Sequence, residues 1–214
     1  MNIRHLLVAL FILGTFSCRK DPKIAEIMNT DPQPLERVTS PGSWWKYNWY
    51  NIDSTGTESL REEIDCVYVV GDTIIYGNVY THQKGTYLSS DFENYRRDSL
   101  HYIVDHNGEI KYSSAQKIDT LHSSSGAGFT AYRILNGIPS EVHMPVGNFE
   151  VVKQELHYTK TDLSPFTPCD SIFVFYSSFS SGIGVISAVT ASIGLIQNNC
   201  TYMERRLVQY FIAH

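Results

Sequence analysis

Thiols, imidazoles, carboxylates and a tight group of aromatic rings are the side chains of this 214-residue sequence that could do chemistry. The four cysteines stand at positions 18, 66, 169 and 200, and no two have the short spacing of a zinc site. Beyond His5, the histidines at 82, 101, 106, 122, 143, 157 and 214 are scattered singly. Glu62 and Glu63 are adjacent in a strand pattern, so they point to opposite faces and cannot share a proton as a catalytic pair. The chain has no Gly-x-Ser-x-Gly elbow, no His-Glu-x-x-His, no P-loop and no EF-hand loop. From these residues we expect a non-enzyme, with no catalytic residue, no metal site and no cofactor.

The rings are the stronger candidates. Trp44, Trp45, Tyr47, Trp49 and Tyr50 crowd into one stretch, and strand alternation puts Trp45, Tyr47 and Trp49 on one face, with Trp44 and Tyr50 on the other. One set can fill a core while the other covers an edge or stacks on a ligand, and core packing is the favoured account of either. If a ligand binds, Trp44, Trp45 and Trp49 are the candidate ligand-binding residues. A hollow lined by such rings suits a lipid or other amphiphile, and exposed rings suit a glycan. Two Gly-rich stretches, Ser124 to Gly128 and Ser180 to Gly184, precede β-like runs. A phosphate cradle would have to open a helix, so they are read as bulges or close backbone approaches where a sheet bends.

Cys18 gives an address. It follows an apolar run from Leu6 to Phe16, with Arg4 and His5 ahead and Arg19, Lys20 and Asp21 behind. As a helix that run spans roughly 16 Å, against the ~30 Å of a bilayer core, so it reads as a signal segment over 1–17. Thr15-Phe16-Ser17-Cys18 resembles the lipobox of bacterial lipoproteins, which implies that Cys18 is the lipid attachment point and that the chain is anchored in the cell envelope. Outer-membrane sorting is expected, with the periplasmic or surface side open. Each buried acyl CH₂ would add about 0.8 kcal/mol to anchoring. Residues 18–41 hold half of the prolines and read as a tether with one short helix over Lys23 to Met28. Losing Arg4 with the signal takes the net charge from −5 to about −6, and the absence of a basic run disfavours nucleic acid. In an oxidising compartment Cys169 and Cys200 are the candidate disulfide, leaving Cys66 in a strand pattern, where a buried free thiol is as good a reading as any alternative.

The elements that must position these residues are strands. From residue 42 to 214 short alternating runs are punctuated by turn residues, the mark of antiparallel structure in a single domain. Between Leu60 and Val70 the even positions are largely apolar and the odd ones begin Arg61, Glu63, Asp65. Turns are expected at Ser54 to Thr57, Gly71-Asp72, Lys84-Gly85, Asn107-Gly108, Asn136-Gly137 and Gly147-Asn148, with a two-residue type I′ turn at Asn107 joining Ser99 to Asp105 with Glu109 to Ser114. Asp170 to Tyr176, Gly184 to Val189 and Thr201 to Ile212 read as the last strands. The total is nine to eleven strands, with at most one or two short helices. We expect a mainly all-β fold: a large curled antiparallel sheet, as a half-barrel or an open or closed barrel.

Gly42-Ser43-Trp44-Trp45-Lys46-Tyr47, Phe179-Ser180-Ser181-Gly182-Ile183-Gly184-Val185-Ile186 and Arg206-Leu207-Val208-Gln209-Tyr210 are similar to stretches of uncharacterised Bacteroidetes-type lipoproteins. The resemblance covers about twenty positions, brings no catalytic residues, and implies a half-barrel of the lipoprotein-carrier class around an apolar hollow. Gly42-x-Trp44 with Arg205 or Arg206 also resembles the lipocalins, where an arginine lies over the first-strand tryptophan; their Thr-Asp-Tyr turn and C-terminal helix are missing. These resemblances imply a membrane-anchored protein that binds a hydrophobic ligand or a partner segment. A glycan-binding or envelope-assembly lipoprotein is the alternative.

Overall fold

A computed structural model describes residues 40–126, 128–164, 172–191 and 201–214, and all its strands belong to one antiparallel sheet. In chain order they are β1 (Trp44–Ile52), β2 (Glu58–Ile75), β3 (Asn78–Tyr87), β4 (Ser90–Ser99), β5 (Tyr102–Asp105), β6 (Ile110–Ser113), β7 (Ile118–Gly126), β8 (Phe129–Met144), β9 (Gly147–Lys160), β10 (Ile172–Ser180), β11 (Gly184–Ala191) and β12 (Tyr202–Phe211). The described residues contain no helix. The segment proposed as a short helix, the lipid attachment at Cys18 and the Cys169–Cys200 pair all lie outside the described residues.

The sheet runs β6-β5-β4-β3-β2-β1-β12-β11-β10-β9-β8-β7, so sequence neighbours pair as hairpins and the first and last strands meet in the middle. Its two free edges, β6 and β7, are consecutive in sequence, and the sheet curls until it is nearly closed. Side chains complete the closure. Arg133 of β8 pairs with Glu109 beside β6. Gln154 of β9 donates to the Ile110 carbonyl at 3.2 Å, and the Tyr112 and Ser177 hydroxyls lie 2.5 Å apart.

Two apolar clusters pack inside the curl. Trp45, Tyr47, Val67, Val69, Phe149, Val151, Ile186 and Leu207 form the larger, and Ile103, Tyr112, Val152 and Phe179 pack under the seam. The inward alternation of β1 therefore selects Trp45, Tyr47 and Trp49, which are all buried. Strand β2 follows with its odd positions inward: Asp65, Val67 and Val69 are buried, while Leu60, Ile64, Tyr68 and Val70 are exposed. The apolar even face is thus the outer one, and Cys66 shares it as an exposed free thiol, not a buried one. The register with β1 forces this result, because Tyr47 sits opposite Asp65, and Trp45 opposite Val67. A one-residue slip would turn every side chain over.

The twelve strands among the described residues exceed the nine to eleven expected, and several turns lie elsewhere. Lys84-Gly85 is inside β3 and the chain reverses at Leu88-Ser89, both with positive φ. Gly85 is there because a Cβ would overlap the Cys66 carbonyl oxygen of β2. Asn136-Gly137 is likewise a bulge within β8, where a Cβ on Gly137 would strike the Ala115 carbonyl. Gly71 marks a bulge in β2, whose true turn is Tyr76-Gly77, and β8 turns into β9 at Pro145-Val146, ahead of Gly147-Asn148. The Asn107 hairpin exists, but its loop has three residues: Gly108 N donates to the Asp105 carbonyl at 3.0 Å, and only Gly108 has positive φ. Ser99 belongs to β4, and an unforeseen turn at Leu100-His101 separates it from β5. The Asp53 loop has the same design, with the carboxylate capping the Thr55 and Thr57 amides as Asp105 caps those of Asn107 and Glu109.

Candidate functional site

Inside the curl lies a hollow of about 650 Å³, to which β1–β6 and β8–β12 all contribute lining residues. That volume is in the range of small-molecule sites. Trp45, Tyr47, Tyr87, Phe92, Phe175 and Phe179 supply aromatic wall. The hollow is not purely apolar: Arg96, Lys111, Arg133 and Arg205 line it, against the carboxylates of Glu93, Asp105 and Glu155.

The charges are mostly paired. Lys111 bridges Asp105 at 3.2 Å and Glu109 at 2.5 Å, and Arg133 also reaches Glu109. Glu155 pairs with His157 at 2.8 Å and accepts from Asn136 at 3.1 Å. At the rim, hydrogen bonds from Lys84 and Tyr95 hold the Glu93 carboxyl down at about 2. His82 stacks on Tyr95 at 4.6 Å and His106 meets the same ring edge-on at 5.3 Å, so folding brings two of the scattered histidines to one tyrosine. Among the described residues no group of three or more His, Cys, Asp or Glu is placed to hold a metal ion.

Of the three tryptophans, Trp45 and Trp49 face inward and Trp44 outward. Trp45 lines the hollow and donates its indole N–H to the Ile183 carbonyl at 2.6 Å. Gly184 packs against its ring, where a Cβ would stand 3.6 Å away. The Ser180–Gly184 stretch, expected as a bulge or a close backbone approach, is the β10–β11 turn, with a register shift just before it at Ser178/Phe179 and Gly184 at a φ of +110°. Trp49 is fully buried and donates to Asp65 Oδ2 at 2.6 Å, with its ring edge-on to Tyr87 at 5.1 Å. Trp44 sits in an outer row with Tyr68 and Phe211 as its β2 and β12 partners, and both partners are about half exposed.

Arg205, which the lipocalin resemblance offered only as a cover for the first-strand tryptophan, lines the hollow. Its guanidinium lies over the rings of Tyr47 at 4.4 Å and Tyr87 at 4.9 Å, and its Nη1 is 3.7 Å from Asp65 Oδ2. Arg206, one residue on, faces the opposite side and binds Glu58 and Glu204 over Tyr50. Neither arginine covers Trp44, as the lipocalin resemblance implied: Arg205 is on the opposite face, and Arg206, on the same face, lies over Tyr50. Burial pushes the Tyr47 hydroxyl up to about 12, opposed by Arg205 and Arg96. It donates to the Val185 carbonyl at 2.9 Å.

No family model and no curated protein matches this chain. Two solved structures are similar to it. One is a protein of Bacteroides fragilis described as exported and as having a YmcC-like fold, with 10% identity, TM-score 0.46, and coverage of 84% of this chain and 100% of that one. The other, from Parabacteroides distasonis, is described provisionally as a lipoprotein, with 12% identity, TM-score 0.44, and coverage of 81% and 96%.

Proposed function

We propose that this protein is a non-enzymatic lipoprotein of the bacterial cell envelope, anchored through Cys18 in the outer membrane, that holds an amphiphilic ligand or a partner segment inside its curled sheet. The observation that carries the reading is the ring-lined hollow of about 650 Å³. A sheet that served only as scaffold would close on a filled core. Mixed lining favours a molecule with both an apolar body and a polar end over a plain hydrocarbon. Signal segment and lipobox supply the location.

Native mass spectrometry of the full chain released from detergent micelles tests this. A bound amphiphile at one per chain is expected, and it should be lost when Ala188, a small residue on the hollow wall, is replaced by Trp. An empty chain that also fails to take up a fluorescent amphiphile would end the proposal.

The row Tyr68-Trp44-Phe211 favours a second reading, in which the outer face docks a glycan or an envelope protein. Glycan-array signal that disappears in Trp44→Ala while the hollow still fills would support it.

A further inference from the structure

We propose that Arg205 seats the anionic head group, a carboxylate or phosphate monoester, of an amphiphile held in the hollow; this deepens the functional reading above and rests on it. Arg205 is 93% withdrawn from solvent at 7% exposure, yet it lines the hollow. Its Nε and Nη1 are buried without a hydrogen-bond partner. Buried donors are nearly always satisfied in folded proteins, and a guanidinium has five of them to place.

Its resident counter-ion does not meet that need. Asp65 is fully buried, but at 3.7 Å the contact to Nη1 is an ion pair without a hydrogen bond. Asp65 Oδ2 is drawn instead to Trp49 Nε1 at 2.6 Å and the Leu88 amide at 3.4 Å, and Oδ1 has no partner. The Tyr47 and Tyr87 rings hold the planar guanidinium from its faces, which leaves its edges for ligands. Lys111 and Arg133 are committed to the carboxylates of the seam, whereas Arg205 has donors to give. An oxyanion accepting from Arg205 would gain charge-assisted hydrogen bonds in a site shielded from water. The aromatic wall of Trp45, Phe175 and Phe179 would take the chain.

The full chain in dodecyl maltoside is titrated with decanoate, decyl phosphate and decanol, following tryptophan fluorescence. Comparing wild type with Arg205→Gln for each ligand cancels partition into micelles. Arg205→Gln should weaken decanoate or decyl phosphate at least tenfold and leave decanol within twofold. Asp65→Asn, which removes the competing carboxylate and keeps an acceptor for Trp49, should tighten the same anion severalfold, a gain that misfolding cannot mimic. Equal losses for all three ligands in Arg205→Gln, or no gain in Asp65→Asn, would overturn the head-group site while sparing the hollow. Failure of every ligand to bind wild type would overturn both. Displacement of decyl phosphate by inorganic phosphate at equal concentration would overturn the amphiphile and leave a simple anion site.

Discussion

Trp49 joins core and charge in one side chain. It is fully buried, and its indole N–H is the shortest bond to the Asp65 carboxylate. Trp49→Phe keeps most of the packing and removes that donor from a buried anion, so a loss of about 2–4 kcal/mol is expected in urea unfolding. Tyr47 carries a pH dependence. Its hydroxyl ionises at about 12 in the folded chain against 10 when unfolded, so the stability it contributes is intact below pH 10 and is lost as pH rises from 10 towards 12. Over that window it accounts for on the order of 2 kcal/mol. Denaturant midpoints at pH 9 and 11.5 should fall less steeply in Tyr47→Phe than in wild type. At this scale the sequence was partly legible: the alternation of Trp45, Tyr47 and Trp49 against Trp44 and Tyr50 follows from strand geometry alone. Arg205 was not, because its importance lies in Tyr47, Asp65 and Tyr87, which pairing brings to it from three other strands.

At the scale of elements, glycines were the misleading signal. They attract a turn reading by default, yet Gly85 and Gly137 sit inside strands because neighbouring carbonyls approach too closely for a side chain. The real turns use Leu88-Ser89, Tyr76-Gly77 and Leu100-His101, in which non-glycine residues carry positive φ. The two kinds of glycine should respond differently to alanine. Gly77→Ala meets open space and is penalised only for its φ of +79°, about 1–2 kcal/mol. Gly85→Ala must push β2 and β3 apart and should cost more, about 3 kcal/mol or above. Thermal melting of the two variants checks the order. The Asp-capped loops at Asp53 and Asp105, by contrast, were visible as turn sequences, since Asp, Asn and Gly satisfy a turn locally.

For the molecule as a whole, the telling feature is that the sheet is closed by side chains and not by a ladder. Edges β6 and β7 do not pair with each other, and Glu109–Arg133, Gln154–Ile110 and Tyr112–Ser177 instead tie the β6 end to β8, β9 and β10. Glu109 and Arg133 are about one-third exposed, so Arg133→Ala should cost under about 1 kcal/mol of global stability. It should nonetheless speed amide hydrogen exchange in β5 and β6, because local opening of the seam needs less free energy than unfolding. Unchanged exchange there would mean that the apolar contacts beneath, Ile103 and Tyr112 on Val152 and Phe179, hold the seam alone. The sequence by itself determined that this is an all-β chain and which β1 rings share a face, because alternation is a local property of the backbone. It also carries the Cys18 address as a proposal. The tertiary structure alone decided that the apolar face of β2 turns outward, that charged side chains enter the hollow, and that an arginine with unmet donors stands among its rings. Those outcomes depend on register between strands far apart in sequence, which no local pattern encodes.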